Sequence, residues 1–183
     1  MLPAPAPVPA VTTALVDTAT RLCLPALGKE LIWPTGVDAL DKEATLLGRF
    51  GLRPGASPAA MAVMGPQGSG ILPQAILAEG EASDGAYVMA LGGRQATCRL
   101  IVYRLADPLD FHATLNNALG LGGWRSALSS STAVVAKQMF IRRSSAGQPF
   151  LINVLSSTNP AQPLPIVLTI VAIPAGVALP KGF

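Results

Sequence analysis

The sequence is poor in charge, since Asp, Glu, Lys and Arg together make up 13% of its 183 residues, against about 25% in an ordinary soluble domain. It contains one histidine and two cysteines, whereas hydrophobic residues make up 50% of the chain. A surface so short of charge is typical of a membrane protein, of a subunit with large buried interfaces, or of an alanine- and glycine-rich globule.

The chain also lacks a long uninterrupted apolar run. A membrane-spanning helix needs about 20 consecutive apolar residues, and the most apolar stretch, 164–179, is broken by Pro165, Pro174 and Gly176. The centre of that stretch, residues 166–173, is rich in β-branched residues and predicts a strand. We therefore expect no transmembrane span.

The patterns of common catalytic and metal sites are missing. The glycine-rich segment 65–70 is not followed by the Lys and Ser or Thr that a phosphate-binding loop requires. One histidine and two distant cysteines lack the close ligand spacing of zinc sites. The acidic segment 79–84, which we interpret as a solvated turn, lacks the spacing of a calcium loop. The sequence therefore assigns no catalytic residue, no cofactor and no metal ligand.

His112 and Cys98 are the residues closest to a catalytic pair. His112 lies on a predicted helix, where a single histidine is usually a surface or boundary residue. Cys98 lies in an apolar row, and burial there raises a thiol pKa and leaves the group unreactive. If the protein has a pocket between helices and sheet, its candidate residues are His112, Arg99 and Tyr103.

Residues 1–11 alternate proline with small residues, which favours an extended arm. The arm lacks the basic start and the continuous apolar stretch of a signal peptide. It fits the mature start of an exported protein with Met1 added for expression, and it fits a linker equally well. The remainder, 12–183, is predicted to form a single α+β domain.

Helical periodicity appears in three segments. The first runs over 12–27, with Thr12 or Thr13 as N-cap, and its inner face carries Leu15, Ala19, Leu22, Cys23 and Ala26. The second runs over 38–47, with Leu40, Ala44 and Leu47 facing inward. The third opens with Asp107 as N-cap followed by Pro108 and Asp110, ends at Gly120, and buries Phe111, Leu115, Ala118 and Leu119.

Six segments read as strands, and residues 53–73 read as irregular. The strands are 74–78, 86–91, 96–104, 134–142, 150–155 and 166–173. The clearest, 96–104, alternates an inner face of Ala96, Cys98, Leu100 and Val102 with an outer face of Thr97, Arg99, Ile101 and Tyr103. Short connections favour antiparallel pairing, so the predicted fold is an antiparallel sheet of about five or six strands covered by two or three helices.

Cys23 and Cys98 both belong to predicted inner faces. If the first helix packs on the sheet, both thiols enter the same layer and a disulfide between them becomes geometrically feasible. The alternative is a pair of buried, reduced cysteines that act as small hydrophobic residues. We favour the disulfide, which indicates an exported or periplasmic protein; reduced thiols would indicate a cytoplasmic one.

Charge is divided unevenly between the two halves of the chain. Residues 1–93 carry five basic and eight acidic side chains, a net charge of −3, whereas residues 94–183 carry eight and two, a net charge of +6. The halves neutralise each other if they pack together, and otherwise the basic half favours an anionic partner. Aromatic residues make up only 5% and form no RNA-binding strand motif, so nucleic acid is disfavoured.

These observations support three functional hypotheses. The first is a non-enzymatic, exported binding or structural module that acts on a protein partner or forms a homo-oligomer. The second is a small enzyme or ligand carrier with a pocket between helices and sheet. The third is polyanion binding by the basic C-terminal half.

Overall fold

The computed structural model describes residues 10–69, 75–92, 96–108, 111–157 and 166–183, with the side chains of 65–69 left out of the description. Most of the predicted N-terminal arm, residues 1–9, lies outside the described residues. Within them the fold is α+β, as predicted, with four helices and one antiparallel sheet of eight strands.

The first helix, α1, consists of Val11–Thr18, a π-helical turn Ala19–Cys23 and a last turn Leu24–Leu27. The other helices are α2 (Ala39–Gly48), α3 (Pro58–Ser69) and α4 (Phe111–Leu121). The strands are β1 (Leu52–Pro54), β2 (Ala75–Ala82), β3 (Gly85–Gly92), β4 (Thr97–Leu105), β5 (Arg125–Ser131), β6 (Val135–Arg143), β7 (Pro149–Ser157) and β8 (Ile166–Ala172).

The sheet is built from two four-stranded meanders. Its strand order is β1-β2-β3-β4-β8-β7-β6-β5, so within each half of the chain every strand pairs antiparallel with the next strand in sequence. The halves join where β4 pairs antiparallel with β8, from Thr97 opposite Val171 to Val102 opposite Ile166. β8 is therefore central, which explains why its sequence is apolar on both faces.

The predicted width of five or six strands is wrong, because β1 and β5 lie at the two edges and were not recognised. β1 has three residues and ends in Pro54. β5 contains four serines, and most of its side chains are exposed. An edge strand with little buried surface does not need apolar alternation, so the signal that identified the other six strands is absent.

The prediction of an irregular segment over 53–73 is also wrong. It includes the end of β1 and the 12-residue helix α3, whose first position is occupied by Pro58, where proline is well tolerated. The acidic segment is not a turn throughout, since Glu79 and Glu81 belong to β2 and the chain reverses at residues 83–84.

The main core lies on one face of the sheet, here called the first face, under α1 and α4. Fully buried side chains from both meanders meet there, and they include Met89, Leu100, Phe150, Ile152, Leu168 and Ile170. Leu15, Leu22 and Leu115 enter the same cluster from the helices. The predicted inner faces of α1 and α4 and the inner positions 98, 100 and 102 of β4 are confirmed.

Cys23 and Cys98 join α1 to the central strand β4. Both are completely buried, as predicted, and their sulfur atoms are 2.04 Å apart. Their Cα atoms are 5.8 Å apart, inside the range in which a disulfide can form. The cross-link therefore lies in the layer between helix and sheet.

The start of α1 is capped differently from the prediction. Ala10 takes the N-cap position and makes no side-chain cap hydrogen bond. Instead the amide of Val11 donates to the carboxylate of Asp84 at 2.7 Å, from the turn between β2 and β3. Thr12 is buried, with 3% of its surface exposed, so it faces the core and not the helix terminus.

The other elements also differ from the prediction in detail. In α2, Leu47 is buried but Leu40 is 81% exposed and Ala44 is exposed, because the helix contacts β1 near its C-terminal end. α4 continues through Gly120 to Leu121. Ala96 precedes β4 and is exposed. Pro108, which was predicted to follow the N-cap Asp107 as the first helical residue, is not helical, and the described part of α4 begins at Phe111. Asp110, predicted in the first turn, lies outside the described residues.

The opposite face of the sheet, here called the second face, is partly covered by α3. Ala60 packs there against Val88 and Ile101, and all three are buried. The outer face predicted for β4 is therefore only partly exposed. Over β5–β8 the described residues place no helix on this face.

We expect the double substitution Cys23→Ala and Cys98→Ala to lower the free energy of unfolding by about 2–4 kcal/mol, because the cross-link restricts a long loop of the unfolded chain. Denaturant unfolding with and without reductant measures this, and reduced wild type should match the variant. Two free thiols titrated in denaturant before any reductant is added would contradict the disulfide.

Candidate functional site

An apolar groove occupies the part of the second face that no described helix covers. Its floor is formed by Ile141, Leu151 and Val171, which are direct neighbours across β6, β7 and β8. The three positions alternate with the core residues of the same strands, so they point away from the main core. Apolar side chains thus line both faces of this half of the sheet.

The walls of the groove come from β5, β6 and the chain that follows β8. Leu128 and Met139 lie on one side, and residues 173–180 lie on the other. The cavity measures about 460 Å³, and every described residue that lines it is apolar. Its size and lining are typical of sites for small apolar ligands or for apolar side chains of a partner.

The C-terminal segment 174–183 runs from the end of β8 to the start of β5. Arg125 holds its far end, since Nη1 donates to the carbonyl oxygen of Gly182 at 2.6 Å and the guanidinium lies 4.7 Å from the ring centre of Phe183. On the two sides of the groove, Leu128 of β5 is 50% exposed and Val177 of the C-terminal segment is 54% exposed. The groove is therefore open to solvent between β5 and this segment.

The surroundings of the groove are positively charged. Residues 111–183 contain no Asp or Glu, and their basic residues are Arg125, Lys137, Arg142, Arg143 and Lys181. Arg125 pairs with Ile141 and Lys137 lies two residues from Met139, so both basic side chains are on the second face. Basic side chains thus lie on either side of an apolar surface, which favours an acidic partner.

The structure does not bring the three predicted pocket residues together. His112 lies on α4, which packs on the first face, and burial lowers the pKa of its imidazole. Arg99 and Tyr103 alternate along β4 with core residues and therefore face the second side of the sheet. The sheet separates them from His112.

Other chemical groups of the described chain are engaged in structural contacts. Cys98 is joined to Cys23, so a Cys98–His112 pair is not formed. Glu81 lies 2.6 Å from Arg104 and 3.9 Å from Arg53. Among the described residues, no group of three or more His, Cys, Asp or Glu side chains is arranged to hold a metal ion.

A buried carboxylate anchors α3 to the second face. Glu79, 8% exposed, accepts hydrogen bonds from the Ser57 amide at 3.0 Å, from Ser57 Oγ at 2.8 Å and from the Tyr103 hydroxyl. Ser57 Oγ in turn accepts from the amide of Ala60 at 3.3 Å in the first turn of α3. Tyr103, a predicted pocket residue, thus takes part in fixing a helix.

The hydrogen bonds set the ionisation of this cluster. Burial by itself raises the pKa of Glu79, but the bonds from Tyr103 and Ser57, together with Arg53, bring it below the usual value of 4.5. Burial and the bond to Glu79 raise the pKa of Tyr103. The pair is therefore held as an ionised acceptor and a neutral donor.

The groove residues were not recognised as a site from the sequence. The sequence signal for this site was that residues 166–173 are apolar on both faces of the strand. Leu151, on the preceding strand, is likewise an apolar residue on the face away from the main core. The contribution of residues 173–180 carried no such signal, because the segment has no regular secondary structure.

Comparison with known proteins identifies no relative: no family model, no curated protein and no solved structure matches this chain.

We expect Glu79→Gln to lower stability at neutral pH by about 1–3 kcal/mol, because an amide cannot accept all the hydrogen bonds that the carboxylate accepts. The folded pKa of Glu79 lies below 4.5, so its contribution is complete above that pH and is lost as the pH falls further. Unfolding measured between neutral pH and pH ~3 should show a smaller acid loss in the variant than in wild type. Glu81→Gln, an exposed neighbour, is the control, and an equal loss in wild type and Glu79→Gln would contradict this role.

Proposed function

We propose that this protein is a non-enzymatic binding module and that the groove is its binding surface. The observation that carries the proposal is a cavity of about 460 Å³ with a wholly apolar lining, open to solvent beside an edge strand. Apolar surface left exposed in this way usually marks an interaction site. The described residues of the lining are aliphatic side chains, proline and methionine, which are suited to binding an apolar group.

A carrier of a small apolar ligand is the second candidate. The size of the cavity favours it, although the cavity lies on the second face and not between the helices and the sheet, where the sequence suggested a pocket. Both candidates use the same lining, so they share the test given below.

Polyanion binding by the basic half is less well supported. Arg104 pairs with Glu81 at 2.6 Å, and Arg142 and Arg143 donate to the backbone carbonyl oxygens of Gly122 and Gly147. Arginines engaged with their own chain are less available to a row of phosphates, and binding of that kind depends on many such contacts.

We further propose that the protein is exported. The support is the buried cysteine pair, because disulfides persist in oxidising compartments. No helix among the described residues has both the length and the apolar character needed to cross a membrane.

The groove is tested with a neutral apolar dye, Nile red, whose fluorescence rises in apolar surroundings. We expect Leu128→Gln to weaken dye binding by about tenfold, because it places an amide at the groove wall. Leu121→Gln is the matched control, since Leu121 is 84% exposed on α4 and does not line the groove. Fluorescence titration at equal protein concentration provides both values.

Equal weakening in the two variants would show that the dye reports exposed apolar surface in general. Unchanged binding in Leu128→Gln, with both variants folded, would show that the groove is not the binding surface.

A further inference from the structure

The two edges of the sheet are protected to different degrees. At one end, β1 has only three residues, contains Arg53 and Pro54, and is flanked by α2. At the other end, β5 has seven residues with no proline and no lysine. Short strands, proline and charge are the usual means of preventing an edge from pairing with another chain. β1 has these features, and most of β5 does not.

Among the described residues no strand pairs with the outer side of β5, which therefore has unpaired backbone groups. Its register with β6 is irregular between Ser126 and Leu128 and then continues to Ser131. The amide of Thr132 donates to Val135 at 2.8 Å, which fixes the alternation of inward and outward groups along the strand. By that alternation Leu128 and Ser130 bond to β6, whereas the amides and carbonyls of Ser129 and Ser131 point outward.

This edge is continuous with the groove. Leu128 pairs with Met139, and both line the cavity. A strand added to β5 would place every second side chain beside Leu128 and over the mouth of the groove. Backbone pairing would then supply affinity, and the groove would select apolar side chains.

The basic residues near the groove indicate which charge the partner segment should carry. Lys137 lies beside the groove and carries most of this argument, since Arg125 on the other side already contacts Gly182 and Phe183. Residues 111–183 contain no acidic side chain. Because Arg125 and Lys137 lie on the same face as the groove, the residues of an added strand that approach them are those on the groove side, next to the residues that enter it. Acidic residues at those positions are favoured there, and basic residues are disfavoured.

We infer that an extended segment of a partner protein adds as a ninth strand to β5 of the eight-stranded sheet. On the side that faces the groove, this segment carries apolar residues that enter the groove and acidic residues that flank them. This rests on the proposed function, since it names the partner of the same surface. It also extends that function, because the edge strand itself becomes part of the site.

The test uses the heptapeptide Glu-Ser-Val-Ser-Val-Ser-Glu, which places valine and glutamate on one side of the strand, and a second peptide with lysine in place of both glutamates. Ser129→Pro removes one outward amide and leaves the pairing with β6 intact, since proline is tolerated on edge strands. We expect the glutamate peptide to bind, the lysine peptide to bind at least about tenfold more weakly, and Ser129→Pro to weaken the glutamate peptide by about tenfold. Ser129→Thr, which keeps the amide, is the control and should bind as wild type does.

Equal affinity of Ser129→Pro and Ser129→Thr for the glutamate peptide, with unchanged melting temperatures, would overturn strand addition. Equal affinity of the two peptides would overturn the assignment of an acidic partner. If Nile red binds but neither peptide binds, this inference is overturned and the proposed function stands. If neither the dye nor the peptides bind, the inference and the proposed function are both overturned. Self-association in light scattering that Ser129→Pro abolishes would replace the partner by a second copy and overturn the inference.

Discussion

The pairing of β4 with β8 is the constraint on which the rest of the structure depends. It brings together Cys98 and Ile170, from the two halves of the chain, as direct neighbours in the middle of the sheet. Because each half is a meander, this single junction decides that β1 and β5 become the edges. It also aligns the buried faces of both halves, so that one core forms under α1 and α4.

The same arrangement produces the candidate site. The first face is closed by α1 and α4, and Cys23 holds the first of these helices against β4. On the second face, α3 covers strands of the first meander, where Glu79 and Ser57 secure its start. Within the part of the chain that the structure describes, the second meander receives only the C-terminal segment on this face, attached through Arg125. The apolar residues between that segment and β5 therefore remain accessible.

Much of the fold was predictable, because a helix or strand that buries one side carries apolar residues at a regular spacing along the sequence. Leu15, Leu22 and Cys23 marked α1, and the alternation around Leu100 and Val102 marked β4. Helices and strands with little buried surface show no such spacing of apolar residues. β5, rich in exposed serine, and the short β1 were missed for this reason.

The candidate site was less predictable than the fold, because it depends on contacts between distant segments. Nothing local to Arg125 indicates that it meets Gly182, and nothing local to Val11 indicates that Asp84 caps its helix. Arg99 and His112 are close in sequence, yet the sheet separates them, because Arg99 faces the second side of β4 whereas His112 lies on α4, which packs on the first face. Strand order, which sequence periodicity does not encode, decided which apolar residues formed a cavity.

The most direct test of this account is amide hydrogen exchange of the free protein, resolved by residue along β5. If β5 is an open edge, the amides of Ser129 and Ser131 exchange rapidly while those of Leu128 and Ser130, bonded to β6, are protected. Equal protection of all four amides would contradict the account, because it would mean that another segment already pairs with this edge.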